Sequence, residues 1–144
     1  MTVEQHRQRI ERQFDNRTKF HWGYFDKDKD LLVGFLTIFY TPFHKLAELN
    51  TVIGDRDYWG QEILLEMVDA GFEFMFETLG AEKLTGKAIA RNLPTIFINK
   101  ALGFKVEGVL RQEWRYEDGQ RMDVISFGLL RDEWRKQSQE KGKQ

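Results

Sequence analysis

The sequence predicts an α+β domain over residues 1–136, followed by a polar tail at 137–144. Three observations point there. Residues 61–79 carry Ile63, Leu64, Met67, Val68, Phe72, Met75, Phe76 and Leu79 at helical spacing, which makes one face of a long helix. Ahead of it, two runs rich in β-branched and aromatic residues flank the charged turn "DKDKD" (26–30). Behind it, two further runs flank "EDGQ" (117–120), whose Asp-Gly is a strong hairpin signal.

Taken in order, the first element is a helix over 3–15. Thr2 can cap it, with Gln5 at capping-box spacing, and Ile10 and Phe14 share one face. "FHWGYF" (20–25) and "LLVGFLTIFY" (31–40) read as the strands of a hairpin. "TPFHKL" (41–46) is a loop opened by Pro42, and "AELNTVIG" (47–54) is a third strand ending at Gly54. The long helix then carries Glu62, Glu66, Asp69, Glu73 and Glu77 outward, and Gly80 stops it. "KLTGKAIA" (83–90) is a short strand. "NLPTIFINKALGF" (92–104) reads as a helix with Asn92 near its cap, Pro94 in its first turn and Gly103 as its stop. "KVEGVLRQEWRY" (105–116) and "RMDVISFGLL" (121–130) are the last two strands. The final stretch, "RKQSQEKGKQ" (135–144), has no apolar residue to anchor it and is expected to fray.

Composition narrows the function. The 22 Lys and Arg nearly cancel the 23 Asp and Glu, so a basic face for nucleic acid is not expected. There is no cysteine, which excludes disulfides and thiolate metal sites. No apolar stretch resembles a signal peptide or a spanning helix, so a cytoplasmic protein without a membrane partner is expected.

Most motifs that could carry chemistry have a plainer reading. "DKDKD" imitates the start of a calcium loop, but the required glycine and glutamate positions hold Leu31 and Thr37. A solvated hairpin turn explains it better. His6, His21 and His44 are scattered and read as surface or packing residues. Ser126 and Ser138 sit in no nucleophile elbow. Arg111, Arg115 and Arg121 read as an exposed face paired with Glu113, Glu117 and Asp118. One segment remains, "LNTVIGDRDYWGQEILLEM" (49–67), a strand, a turn and the start of the long helix. A helix N-terminus offers unpaired N–H groups and partial positive charge, so it suits a phosphate; an ordinary turn bent at Gly60 fits the spacing equally well.

The stretch "IGDRDYWGQEILLEMVDAGFEFMFETLGAEKL" resembles the acetyl-CoA-binding region of the GNAT superfamily of N-acetyltransferases. The likeness continues through "RNLPTIFINKALGFKVEGVLRQEWRYEDGQRMDVISFGLL", in the order of the branch that holds the ribosomal-protein N-terminal and amino-sugar acetyltransferases. It covers about residues 47–131. The resemblance implies a GNAT-like mixed sheet, flanked by helices and splayed between the strands 47–54 and 83–90. It implies acetyl-CoA as co-substrate, no metal, and a small-molecule or peptide amine as acceptor. Backbone groups of Val52, Ile53 and Gly54 would pair with the pantetheine. N–H groups of Trp59, Gly60, Gln61, Glu62, Ile63, Leu64 and Leu65 would hold the diphosphate, and Asn92 would add a cofactor contact.

Within that resemblance the chain departs from the pattern. The family turn has Arg or Gln, then Gly, then Gly or Ala where this chain has Trp59, Glu62 and Leu64. Glu62 puts a Cβ and a negative charge where phosphate approaches, so weakened binding is expected. Asn99 replaces a tyrosine that many members use as the acid, and asparagine has no titratable proton. Glu48, on the third strand, is the candidate base, with a structural ion pair as the alternative. The family's usual first strand and helix are expected to be lacking, which exposes a sheet edge and leaves room for a homodimer. The expected function is N-acetyl transfer to a protein N-terminus, an amino sugar or a small amine. Two alternatives stay open: a non-catalytic binding or assembly protein with a degenerate acetyl-CoA site, and a binder of another acyl-CoA.

Overall fold

Residues 2–58 and 62–142 are described by a computed structural model, in which the chain divides into two units, Met1–Ala81 and Glu82–Gln144. Among the described residues, six strands and four α-helices make the fold α+β.

The first unit opens with helix α1 (Val3–Gln13). Its capping box is complete: Thr2 Oγ1 accepts from Gln5 N–H at 3.2 Å, and Gln5 Oε1 accepts from Thr2 N–H at 3.0 Å. Strands β1 (Lys19–Asp26), β2 (Leu31–Thr41) and β3 (Leu46–Ile53) follow as an antiparallel meander. Asp15 sets the entry to β1. Its Oδ1 accepts from the N–H groups of Arg17, Thr18 and Lys19 at 2.8–2.9 Å. The 26–30 turn is capped from within, since Asp26 Oδ1 accepts from Asp28 N–H at 3.0 Å and Lys29 N–H at 3.4 Å. That is a self-satisfied hairpin turn.

Helix α2 (Ile63–Glu73) crosses this meander and changes into one π turn, Phe74–Thr78. The helical periodicity holds to Leu79, but the hydrogen bonding shifts: Leu79 N–H reaches back to Phe74 O at 2.9 Å. Gly80, at φ +80°, ends the run in the left-handed conformation that favours glycine. The core of this unit is Val33, Leu36, Ile38, Ala47, Met67, Val68, Phe72, Met75 and Phe76. Gly71 lets α2 approach β3 closely, for a Cβ there would lie 3.3 Å from a Leu49 methyl. Phe74 packs edge-on against Phe20 and Trp22 of β1.

The second unit holds β4 (Lys83–Ile89), α3 (Leu93–Ala101), β5 (Lys105–Arg115) and β6 (Arg121–Leu130). β6 pairs antiparallel with both β4 and β5. The Asp-Gly hairpin forms, with Gly119 at φ +86° and Tyr116 N–H on Gln120 O at 2.9 Å. Among the described residues, no ion pair joins Arg111, Arg115 or Arg121 to Glu113, Glu117 or Asp118. Arg121 Nε donates to Gln112 O at 2.9 Å across a bulge of β5, and Glu113 faces Lys87 at 3.9 Å.

One element was not expected. Helix α4 (Arg131–Gly142) runs through the stretch read as a fraying tail. Its anchors begin before that stretch. Trp134 is half-buried, and Glu133 accepts from Leu130 N–H at 3.0 Å while pairing with Lys105. Gln137 then lies over Gly103, where a Cβ would collide with its amide.

Candidate functional site

The segment from β3 through the turn to α2 lies wholly in the first unit. Leu49 meets α2, so by strand alternation Glu48, Asn50 and Val52 stand on the opposite face. Glu48 is half-buried, and its Oε1 accepts from Asn50 Nδ2 at 3.3 Å. In register, Glu48 is opposite Phe39, Asn50 opposite Thr37, and Val52 opposite Phe35. Thr37 is buried and polar, with Oγ1 2.9 Å from His21 Nδ1. The His21 ring stacks on Phe14 and tilts against Phe35, each at 4.8 Å between centroids. This face therefore carries a carboxylate beside a polar patch and an aromatic wall.

At the end of β3, Val52 is exposed and Ile53 half-buried. The Gly54 N–H is already used, donating to Val33 O at 3.0 Å. Gly34 explains how closely β2 and β3 approach here, because a Cβ at 34 would collide with the Val52 carbonyl. A single 3-10 turn, Arg56–Tyr58, follows. Trp59, Gly60 and Gln61 lie outside the described residues.

Glu62 is the N-cap of α2, at φ −64° and ψ −11°. That is right-handed backbone which any residue adopts, so glycine is not needed there for conformation. Its side chain is exposed and makes no capping hydrogen bond. The first helical bond runs from Glu66 N–H to Glu62 O at 3.0 Å. The N–H groups of Ile63, Leu64 and Leu65 thus precede the helical ladder, as the first N–H groups of any helix do. The positive end of the helix dipole favours an anion at this point, and the Glu62 carboxylate is one.

A tyrosine–carboxylate contact precedes this turn, and it was not read in the sequence. The buried Tyr58 donates its hydroxyl to Asp26 Oδ2. This contact pushes the Tyr58 hydroxyl up to about 12 and holds Asp26 below the usual carboxylate range. The Tyr24 hydroxyl is also pushed up to about 12, first by burial and then by its hydrogen bond to Glu66. The available signal was faint: Tyr24 and Asp26 occupy alternate positions of one strand.

Asn92 and Asn99 belong to the second unit. Asn92 caps α3, its Oδ1 accepting from Thr95 N–H at 3.4 Å. Asn99 is half-buried on α3, and its carbonyl accepts from Phe104 N–H at 3.0 Å. Among the described residues, no three His, Asp or Glu side chains gather as metal ligands. No helix among them is long and apolar enough to cross a membrane.

Comparison with known proteins bears on this geometry. A sequence model of the acetyltransferase (GNAT) domain family matches residues 1–105. An uncharacterised N-acetyltransferase, p20, of Bacillus licheniformis is 31% identical over 88 residues. That match covers 61% of this chain and 48% of p20, so the chain spans about half the length of that relative. A crystal structure assigned as an acetyltransferase from T. thermophilus is 29% identical with a TM-score of 0.72, covering 82% of this chain and 62% of that one. Mutant forms of the spermidine/spermine N-acetyltransferase SpeG from Vibrio cholerae share the fold at a TM-score of 0.83 and 17% identity, over 95% of this chain and 81% of that one.

Proposed function

The chain belongs to the acetyltransferase (GNAT) domain family, and we propose that it is an N-acetyltransferase moving an acetyl group from acetyl-CoA to a primary amine. The observation that carries this reading is the β3–turn–α2 segment, which lies inside the matched residues and ends in a helix start with N–H groups ahead of its ladder. We place the chain in the branch of ribosomal-protein N-terminal and amino-sugar acetyltransferases, from the order of its motifs.

The residues fit a diphosphate by their N–H groups and oppose it by one charge. Ile63, Leu64, Leu65 and the Glu62 backbone would hold it, and the resemblance adds the N–H groups of Trp59, Gly60 and Gln61. Val52 and Ile53 offer backbone groups to the pantetheine; the Gly54 N–H, spent on Val33, leaves only its carbonyl for that use. The Asn92 side chain has a donor, Nδ2, besides the oxygen that caps α3. Acetyl-CoA, when bound, supplies the thioester that an amine attacks.

Glu48 takes a proton from the ammonium form of the acceptor and so exposes the amine lone pair. Asn50 Nδ2 orients it by donating to Oε1. A backbone N–H of β3 meets the carbonyl oxygen as charge develops on it. Asn99 stands where the resemblance puts a tyrosine acid in many members, and an asparagine has no titratable proton to supply.

One observation favours a second reading. Glu62 is exposed at the helix start, where it repels a diphosphate, as expected of a binding module whose acetyl-CoA site has degenerated. Incubation with acetyl-CoA and a panel of spermidine, an amino sugar and an N-terminal peptide separates the two. Acetylation of any member supports the enzyme; acetyl-CoA binding or its absence, without turnover, supports the module.

A further inference from the structure

We propose that the acceptor is an amine of a single positive charge on an apolar body, an arylalkylamine in chemical class, bound on the face of β1–β3 turned away from α2. The inference rests on the acetyltransferase reading above, with Glu48 at the acceptor, and names the class of that acceptor. Antiparallel register lays this face out in three rows across the strands. The first row is Lys19, Phe39 and Glu48. The second is His21, Thr37 and Asn50, and the third is Gly23, Phe35 and Val52. Strand alternation puts all three rows on one side, and His21 confirms it by meeting both Thr37 and Phe35.

The rows differ in chemistry. Glu48 is the one carboxylate in the stretches 19–23, 35–39 and 48–52, so the face neutralises one ammonium. Phe39 stands directly across from Glu48 and is 36% exposed. Side chains so paired start about 5 Å apart, which brings an ammonium on Glu48 within cation–π reach of the ring. The second row carries no acid: Thr37 is buried with its hydroxyl on His21, and Asn50 donates to Glu48. That bond leans the carboxylate toward the third row, which is apolar. Phe35 faces the exposed Val52, and Phe25 covers Gly23, where a Cβ would lie 2.9 Å from its ring. The first and third rows lie about 13 Å apart, a span that the Glu48 side chain and a butyl-length linker cover together. A polyamine would set its further charges against Lys19, His21 or this apolar row; an aryl group meets carbon there. In transfer, the amine nitrogen bonds to the thioester carbonyl carbon as the carbon–sulfur bond breaks. Of the two protons that the ammonium nitrogen sheds, one passes through Glu48 to solvent and one goes to the departing sulfur.

The test gives the full chain acetyl-CoA with phenylbutylamine, spermidine, glucosamine or a short peptide that begins with phenylalanine. The peptide shares the chemistry of the free amine, and the better of the two identifies the source. For that better one, kcat/KM is expected about tenfold or more above those of spermidine and glucosamine. Phe39→Ala should raise the KM of phenylbutylamine about tenfold. Lys19→Glu puts a second carboxylate in the first row and should shift the ratio of kcat/KM about tenfold toward spermidine. A preference for spermidine or glucosamine, or an unchanged KM in Phe39→Ala, overturns the proposal. Binding is read separately by NMR: phenylbutylamine should shift the amide signals of Phe35, Phe39 and Glu48 in the wild type and not in Glu48→Gln. If no acceptor is acetylated, the transfer reading falls and these shifts alone decide. Their presence keeps the amine site, and their absence removes it.

Discussion

The Glu66 N–H donates to the Glu62 carbonyl at 3.0 Å, so the first bond of α2 closes on the residue that carries the most troublesome charge in the chain. The backbone of Glu62 is thus committed to the helix while its carboxylate projects outward. A carboxylate about 5 Å from a phosphate charge in a watery setting costs roughly 1 kcal/mol. Glu62→Gln is expected to tighten acetyl-CoA about fivefold at low ionic strength. Added salt should shrink the gain, since it screens exposed charges. Titrations of both proteins at two salt concentrations measure this; equal affinities at low salt would place the diphosphate away from residue 62.

Glu48 carries the proposed proton transfer. Glu48→Gln should lower kcat about 100-fold and leave the KM for acetyl-CoA unchanged. The loss should be larger for an acceptor amine of pKa about 10.4 than for an α-amine near 8, because the former needs the base more. Raising the pH should return activity to the variant. Steady-state kinetics with both acceptors decides it, and a variant as fast as wild type assigns Glu48 to structure.

Two glycines of the first unit make opposite predictions. Gly34→Ala drives a Cβ into the Val52 carbonyl, a backbone atom that cannot turn aside. A loss of about 2 kcal/mol is expected, from strain between β2 and β3. Gly71→Ala meets side-chain methyls alone, of Leu49 at 3.3 and 3.4 Å and of Leu36 at 4.0 Å, which can give a little. Alanine also gains up to about 1 kcal/mol of helix propensity there. Denaturant melts should show Gly34→Ala clearly destabilised and Gly71→Ala near wild type. The reverse order would contradict the packing described here.

Asp15 governs the acid limb of stability. The N–H groups of Arg17, Thr18 and Lys19, with the Thr18 hydroxyl, hold its carboxyl well below the usual range. A carboxyl depressed in the folded state stabilises above its unfolded pKa of about 3.9 and stops doing so as pH falls through the folded value. Thermal melts of wild type should therefore lose stability as pH falls below about 4. Asp15→Asn should start lower at neutral pH and fall less steeply. Parallel curves would remove Asp15 from that role.

How much of this was legible in the sequence varies with the range of the interaction. The capping box at Thr2 and Gln5, the Asp-Gly hairpin and the glycine stops at 80 and 103 are local signals, and each appears where its spacing puts it. The periodicity of 61–79 marks the long helix but not its switch to a π turn at Phe74, which alters bonding without moving the apolar face far. Helix α4 was not expected because its polar residues depend on contacts that Glu133 makes with Lys105 and that Gln137 makes with Gly103. The family and the β3–turn–α2 segment were readable as an ordered motif. The contact between Tyr58 and Asp26 was not, for it joins residues 32 positions apart, and no spacing rule reaches that far.

The central claim is that the turn into α2 receives acetyl-CoA despite Glu62. Calorimetric titration of acetyl-CoA into the purified chain tests it most directly. The account predicts one site with a dissociation constant of about 10–100 μM, in the ordinary range for an enzyme substrate. It also predicts tighter binding by Glu62→Gly. No heat of binding by either protein at millimolar acetyl-CoA would contradict the account.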